Sequence, residues 1–554
     1  MAKKIYLSEV KKGNFFLDPL NRNKKKFIQL NTVNCIDEHK THLNFCNKVV
    51  LSKINEYFRN CKKKFKHKKE LKFFSILYLP IFTHIIQSFY FKYIFLKKID
   101  KKKFIIEKVR TNNLKKININ QFTKLLRVSE KLNNSMITDI SENIGIKTFF
   151  NFEELSIKIN GPSIKEYILD KLKVYISFLS VQISSFFYKD KILIHDGVLS
   201  LKKTFRILIL SKFRITYFYL SKFTKKKYKK ELNLFNKENN GIISFQNLCS
   251  NLMEKYLPRS YDFDLIKNIK SLRVKKGTII ITKSLSSPDN INFRVFLAAN
   301  FEKLKIYSIQ HGGGYGYLKD FYLENYEKSI SKKFLTWGWK KDRKDQIFSA
   351  DEIKIKKKIH VDNKKILLIG SNFCKYDYRF SSEPNSSLIF NNSSYVQNKK
   401  KLIKEISKNY NLIYKPHEVN NWYKELINIK KSKNFSIDTN NNLMDLALKS
   451  KLIIVCHLST AFLESLNLDK PLILFLEKNF YNFTKIAKKD FEKLKRVGIL
   501  HYNVKSIKNL LRNNKIDKWW LNKNVQKARK EFLYKFFHTE KNHDKNLLEY
   551  SLKQ

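Results

Sequence analysis

Four glycines crowd a single loop in a chain that has few of them. Residues 310–316 read Gln310-His311-Gly312-Gly313-Gly314-Tyr315-Gly316, directly after the apolar run Lys305–Ile309, and the whole 554-residue sequence holds 13 glycines. Glycine tolerates positive φ and lets backbone N–H groups come close to a ligand. At the carboxyl end of a strand, such a loop suits a phosphate or a sugar; the plainer reading is a tight turn. Gln310, Gly312, Gly313, Gly314, Tyr315 and Gly316 are therefore candidates for substrate contact. Downstream lie Glu324 and Glu327. A carboxylate or imidazole beside such a loop suits a general base: Glu327 is the first candidate, Glu324 the second and His311 the third. His311 equally suits a phosphate or a sugar, and for each carboxylate the bland reading is a solvated side chain.

A second group of polar residues follows apolar runs further on. His457-Leu458-Ser459-Thr460-Ala461-Phe462-Leu463-Glu464 reads as a strand-to-helix turn with hydroxyls at the helix start. A nucleotide diphosphate gains there from N–H groups, the helix dipole and hydroxyl donors. Ser459 and Thr460 fit its phosphates, and Glu464, one turn on, fits its ribose; an N-cap with a solvated glutamate is the alternative. Lys415-Pro416-His417-Glu418 follows the run Asn411–Tyr414, where Lys415 and His417 suit a phosphate or a leaving group. Ser371, Asn372 and Arg379, after Lys365–Ile369, are weaker candidates.

The stretch Gln310–Gly316, with Glu324, Glu327, Ser331 and Leu335–Trp339, resembles the signature of a bacterial family of transferases from O-antigen and other surface-polysaccharide clusters. Leu494–His501 before Trp519-Trp520 and Val525–Phe532 is a second match, and the aromatic stretch Leu71–Leu96 a looser third. Tyr326 and Lys332 stand where that family's pattern has histidine and aspartate, and its N-terminal signature is not recognisable before residue 70. The resemblance implies a GT-B-like α/β fold, with two Rossmann-like doubly wound domains facing a cleft, a helix-rich N-terminal part and C-terminal helices. It implies transfer of a sugar or related group from a nucleotide-activated donor to a glycan or lipid-linked glycan, without metal or cofactor. Lys415-Pro416-His417 is similar to an element of polyol-phosphate transferases, so a CDP-linked polyol- or glycerol-phosphate donor is the alternative. A non-catalytic basic protein that binds membranes or anions is the alternative of another class.

Composition bounds these readings. The chain is long enough for two or three domains with buried cores, and 43% hydrophobic and 14% aromatic residues exclude a disordered chain. Its formal charge of +62 comes overwhelmingly from lysine, beside abundant Asn, Ile and Phe. An A+T-rich genome writes that pattern into any protein, so charge does not argue for nucleic acid; arginine is scarce and no nucleic-acid motif is present. A basic surface does favour nucleotide diphosphates, anionic glycans and acidic headgroups, and with them peripheral contact at the inner face of a membrane. Cys35, Cys46, Cys61, Cys249, Cys374 and Cys456 have no pairing or metal spacing, as buried thiols of a reducing cytoplasm would. Met1–Leu7 lacks the apolar run of a signal peptide. Asp262-Phe263-Asp264 has no apolar strand before it and is not read as a metal site.

The organisation expected from these patterns has five parts: a divergent lysine-rich segment at 1–70, a helix-rich then Rossmann-like domain at 71–340, a linker at 341–358, a Rossmann-like donor domain at 359–515, and helices at 516–554. Strand–helix alternation starts near Gly277 and resumes at Lys365. Leu71–Leu96 is long enough to span a membrane, but its Lys72, Pro80, His84 and Lys92 favour a buried helix. Val174–Tyr188 and Phe205–Phe223 read as core helices or strands with snorkelling lysines. The resemblance to GT-B folds implies a terminal helix that crosses back onto the first domain, with Trp519-Trp520 as its anchor.

Overall fold

The computed structural model of the chain describes residues 3–6, 15–18, 27–29, 36–65, 71–112, 119–156, 163–188, 192–221, 235, 243–258, 274–283, 285, 291–319, 321–350, 361–370, 376–380, 393–416, 434–478, 480–512, 516–540 and 543–553. The chain opens with β1 (Lys3–Tyr6), β2 (Phe15–Asp18), β3 (Phe27–Gln29) and two long helices, α1 (Ile36–Phe65) and α2 (Leu71–Lys97). β4 (Phe104–Asn112), α3 (Ile119–Val128), α4 (Glu130–Asn143) and β5 (Thr148–Ser156) come next. The five strands form one parallel sheet in the order β3-β2-β1-β4-β5. Residues 1–70 are thus tied to the rest of the N-terminal part, because β4 completes their sheet and α1 packs along α2. Strands of three or four residues leave too little period to be read from sequence.

Beyond them lie α5 (Ile164–Phe187), β6 (Ile192–His195), α6 (Leu201–Leu210), β7 (Ile215–Phe218), α7 (Phe245–Tyr256), β8 (Thr278–Thr282), α8 (Ile291–Asn300), β9 (Leu304–Ile309), α9 (Tyr322–Ile330), β10 (Lys333–Thr336) and β11 (Asp345–Ile347). Their strands make a six-stranded parallel sheet in the order β11-β10-β9-β8-β6-β7. The chain steps from β6 out to β7, then from β8 out the other way, so the topological switch point lies between β6 and β8. Four strands, β4 to β7, fall in the stretch 71–260 that the sequence presents as mostly helical, since an apolar run such as Ile-Leu-Ile-His in β6 has no helical or strand period of its own. The stretch 341–358, expected as a linker, contains the edge strand β11. Its charge is buried there because Asp345 is satisfied, accepting the N–H groups of Lys341 and Asp342 and pairing with Lys328 at 2.7 Å; residues 351–358 lie outside the described residues.

The third sheet is built from β12 (Asp362–Ile369), α10 (Ser393–Ile406), β13 (Asn411–Lys415), β14 (Phe435–Ile437), α11 (Leu443–Lys449), β15 (Ser450–Val455), α12 (Thr460–Asn467), β16 (Leu472–Phe475), α13 (Lys485–Arg496), β17 (Leu500–His501) and α14 (Val504–Arg512). It too is wholly parallel, in the order β14-β13-β12-β15-β16-β17, with its switch point between β12 and β15. Parallel pairing sets the loops after β12, β13 and β15 on one edge, as the strand alternation predicts. α15 (Ile516–Trp520), α16 (Lys523–Phe536) and α17 (His543–Leu552) finish the chain. The end does cross back: Leu547 is buried with Ile309 and Leu335, and the His538 N–H donates to the Trp337 carbonyl at 2.9 Å. Trp519 and Trp520 do not anchor that crossing, for Trp519 Nε1 donates to the Val497 carbonyl in the second half. One apolar core runs through both halves, with Trp337 and Trp339 from the first and Val455 and Phe462 from the second. The architecture is α/β, two doubly wound parallel sheets as expected, with a third parallel sheet in the N-terminal part.

α2 is the one helix among the described residues long and apolar enough to cross a membrane, and 89% of its apolar window is buried. Helices α1, α4, α7 and α8 pack around it. Pro80 lies inside it and has no N–H to give the carbonyl of Ile76, one turn back. The hydroxyl of Tyr326, on α9, donates to that carbonyl at 2.9 Å. A proline break in one helix is thereby closed by a side chain from another. α5 departs from expectation in the opposite sense. Its buried positions are Asp170, Ser177, Ser180 and Ser184, while Phe178, Phe186 and Phe187 are exposed. The run Val174–Tyr188 is therefore helical, but its apolar side faces outward. In Phe205–Phe223, α6 ends at Leu210 and β7 begins at Ile215, so that run is part helix and part strand.

Tyr326→Phe is expected to lower the unfolding free energy in urea by about 1–3 kcal/mol, because the Ile76 carbonyl is left buried and unpaired. In a Pro80→Ala background the loss should shrink, since the backbone then supplies its own N–H. Equal losses in both backgrounds would refute the capping role.

Candidate active site at the junction of the two sheets

The loop after β9 is held by its first residue. Gln310 is buried; its Nε2 donates to the Gly312 carbonyl at 2.9 Å, and its Oε1 accepts the Trp337 N–H at 3.0 Å and Trp339 Nε1 at 2.7 Å. Its amide is committed within the fold and positions the loop. The glycines answer to close packing. A Cβ on Gly313 would lie 2.4 Å from the carbonyl carbon of Ser459, and the Gly313 N–H donates to Thr460 Oγ1 at 3.0 Å. Gly316 has φ +79°, and a Cβ there would enter the Trp339 ring. The two groups of residues singled out in the sequence, one after β9 and one after β15, thus meet backbone to backbone.

Beneath this loop lies a chain of polar contacts. Tyr315 is buried and its phenol is pushed well above its ordinary value, by burial first and the charge of Glu327 second, so it keeps its proton. That proton goes to Glu327 Oε2 at 3.0 Å. The contact of 3.0 Å between Tyr315 Oη and His311 Nδ1 therefore has the imidazole donating, and Glu327 Oε1 lies 3.4 Å from the same nitrogen. Burial, with the charge of Lys283, pushes His311 down to about 4, so the ring is neutral at neutral pH. Nδ1–H is held, and Nε2, 3.4 Å from the same Tyr315 oxygen, carries the lone pair on a side chain that keeps 31% of its surface exposed. Glu327 is fully buried and Glu324 nearly so; Glu324 accepts the Gly316 N–H at 2.8 Å and pairs with Lys341 at 2.8 Å. Of the three base candidates, His311 is the one that keeps exposed surface, while Glu327 is bound to Tyr315 and Glu324 to the Gly316 N–H and Lys341.

On the second half, Ser459 starts α12 in extended conformation, and its hydroxyl is buried without a hydrogen-bond partner among the described residues. Glu464 is half-buried on the same helix, its carboxyl raised by burial, and has no hydrogen-bond partner among the described residues. Thr460 is less free, since Oγ1 already accepts the Gly313 N–H. Lys415 is buried and donates to the Asn441 carbonyl at 2.6 Å, which gives it a structural partner in the turn before α11. His417, Ser371, Asn372 and the Asp262–Asp264 pair lie outside the described residues. Among the described residues no cluster of His, Cys, Asp and Glu could hold a metal ion.

Arg379 arrives from an unexpected direction. It follows β12 of the second half, yet its neighbour Phe380 donates its N–H to Gln87 on α2 at 2.7 Å and stacks on Phe91 at 4.2 Å. The guanidinium lies 5.8 Å from the Tyr322 ring centre, and its charge is felt at Tyr315. Lys283, directly after β8, was missed in the sequence, as a lone lysine among so many carries no signal. Lys341 was missed for the same reason, and Thr484, whose hydroxyl donates to the Gly316 carbonyl at 3.1 Å, because that contact comes from a distant part of the chain.

An α/β chain with an oriented imidazole and, at the same junction, a helix start that carries an unpartnered hydroxyl has residues suited to group transfer. The chain belongs to the LIC12162 family of transferases, which it matches over residues 21–550. The match begins well before residue 70, where the eye finds no signature. Comparison with curated protein sequences gives no match. Among solved structures the chain is similar to MurG of Acinetobacter baumannii, at 9% identity and TM-score 0.32, over 66% of this chain and 100% of that one. It is also similar to a glycosyltransferase from Rickettsia africae, at 14% identity and TM-score 0.30, over 66% and 98%.

The depressed imidazole fixes a sign for stability. Between about 4 and 6.5 the unfolded chain binds a proton that folded His311 refuses, so stability falls as pH drops through that window. His311→Gln is expected to flatten that part of a melting-temperature profile. A profile unchanged by the substitution would mean that the ring titrates normally.

Proposed function

We propose that the chain moves a sugar from a nucleotide-activated donor onto a hydroxyl of a bacterial surface glycan such as O-antigen, free or lipid-linked, in the cytoplasm at the inner face of the membrane. In this reading the donor's diphosphate sits against the start of α12, where the helix dipole and the Ser459 hydroxyl meet it. Glu464 accepts from the ribose. His311 Nε2 takes the proton of the acceptor hydroxyl while Tyr315 and Glu327 hold Nδ1. The acceptor oxygen bonds to the sugar carbon as the bond from that carbon to the phosphate oxygen breaks. The leaving diphosphate carries its charge away beside α12, Arg379 and Lys283. No metal or cofactor enters this scheme; the activated donor is a substrate.

The observation that carries the reading is Glu464, a half-buried carboxylate with no hydrogen-bond partner among the described residues, on the helix whose start touches the glycine loop. The CDP-linked polyol-phosphate alternative leaned on Lys415 and His417, and Lys415 has its partner in Asn441. The non-catalytic alternative does not account for membership of a transferase family or for an imidazole oriented by a buried phenol and carboxylate.

A melting-temperature panel of UDP-, GDP- and CDP-linked sugars, CMP-linked sugars and CDP-glycerol tests the reading. One donor class is expected to stabilise the wild type, and Glu464→Ala should weaken its binding about tenfold, or about 1.4 kcal/mol. His311→Ala should keep donor binding and lose transfer. Stabilisation by CDP-glycerol alone would move the assignment to polyol phosphate. Absence of any shift in a folded sample would favour the non-catalytic reading.

A further inference from the structure

We propose that α5 and α6 form a face that lies on an anionic lipid surface. α5 is built inside out. Its narrow inward stripe is Asp170, Ser177, Ser180 and Ser184, and the stripe is bonded to the sheet edge: Ser180 donates to the Tyr217 carbonyl at 2.8 Å, Ser177 accepts the Tyr219 N–H at 2.9 Å, and Asp170 accepts the hydroxyls of Tyr219 and Ser221 at 2.6 Å. The rest of the helix is apolar and faces outward, with Ile168 at 60%, Tyr175 at 60% and Phe186 at 86% exposure. Eleven of the twenty-two exposed large apolar side chains among the described residues are on this helix, and three more are on α6, which packs with it around Tyr217 and Tyr219. A patch of that extent on one face marks a docking surface and not scattered exposure.

Charge selects the occupant. The exposed charged residues of α5 and α6 are the cations Lys165, Lys171, Lys202 and Arg206 and a single acid, Glu166. An apolar face bordered by cations suits a leaflet of anionic headgroups, with the rings at headgroup level. A second copy of a chain carrying +62 offers no complementary charge. Because Tyr219 and Ser221 follow the carboxyl end of β7, the first half of α5 lies at the edge of the sheet that also carries His311. Lipid would therefore lie along the edge from which the candidate site opens. α2, the more obvious apolar segment, is buried and takes no part. This inference deepens the membrane location given in the transfer reading, and because its test involves no donor, its failure is distinguishable from failure of the transfer itself.

The full-length chain is to be floated with vesicles of phosphatidylcholine alone and with about 30% phosphatidylglycerol. Binding to the anionic vesicles is expected, and the triple variant F178S/F186S/F187S should reduce partitioning at least about tenfold with an unchanged melting temperature. Tyr175→Trp should shift its emission to the blue on the same vesicles. Three outcomes overturn the proposal: a triple variant that floats like wild type, which leaves the lysines alone as the attraction; a wild type that does not float; or a dimer in light scattering that the triple variant dissociates, which gives the face to a second copy.

Discussion

The approach of Gly313 to Ser459 and Thr460 is the constraint on which the rest of the molecule depends. Two parallel sheets present their carboxyl edges to each other, and here the backbones come so close that a single methyl group would not fit. The N–H of Gly313 is satisfied by Thr460 Oγ1 across the junction, as a buried donor must be. Around that contact a shared core of Trp337, Trp339, Val455 and Phe462 makes the two halves one body of packed side chains. The turn at residues 316–319 adds a second tie: Lys319 N–H donates to the Asn482 carbonyl at 2.8 Å and Thr484 N–H to the Tyr317 carbonyl at 3.0 Å. Placing the glycine loop against α12 in this way leaves His311 on one side of the contact and Ser459 with Glu464 on the other. The chemistry proposed for the chain needs that neighbourhood.

Other long-range contacts serve the same junction from behind. Tyr326 repairs the proline break of α2 and carries α9 with it, and α9 bears Glu324 and Glu327. Phe380, bound to Gln87 and stacked on Phe91, ties the segment after β12 to the same helix and delivers Arg379. α2 is therefore a platform for the site, and its apolar length is explained by what surrounds it. The buried carboxylates of α9 are each met by a donor, which is the condition for a charge to be tolerated inside a fold.

Much of this was legible in the residues, and the failures have physical causes. Strands β8, β9, β12, β15 and β16 each contain a buried run of mostly apolar residues, and such runs between turns are readable without a partner. The glycine cluster and the Ser-Thr start of α12 are local signals, and both lie at the junction. What no local pattern carries is which way a side chain faces. Glu327 and Glu324 look like ordinary surface carboxylates until Tyr315, Lys341 and the Gly316 N–H are brought to them from elsewhere. The same holds for α5, where an apolar run on a helix ordinarily means a core face, yet its serine stripe is the side that packs. β11 hides in a charged stretch because Asp345 is paired, and pairing is invisible in sequence.

The most direct test is a diffraction structure of the chain with the nucleoside diphosphate of the donor class that stabilises it. The account predicts phosphates at the start of α12 within hydrogen-bond distance of Ser459 Oγ, the ribose on Glu464, His311 Nε2 facing the vacant acceptor side, and the Gly313–Thr460 contact intact. A diphosphate cradled by the glycine loop itself, with Gly313 parted from Thr460, or one bound away from both, would contradict it.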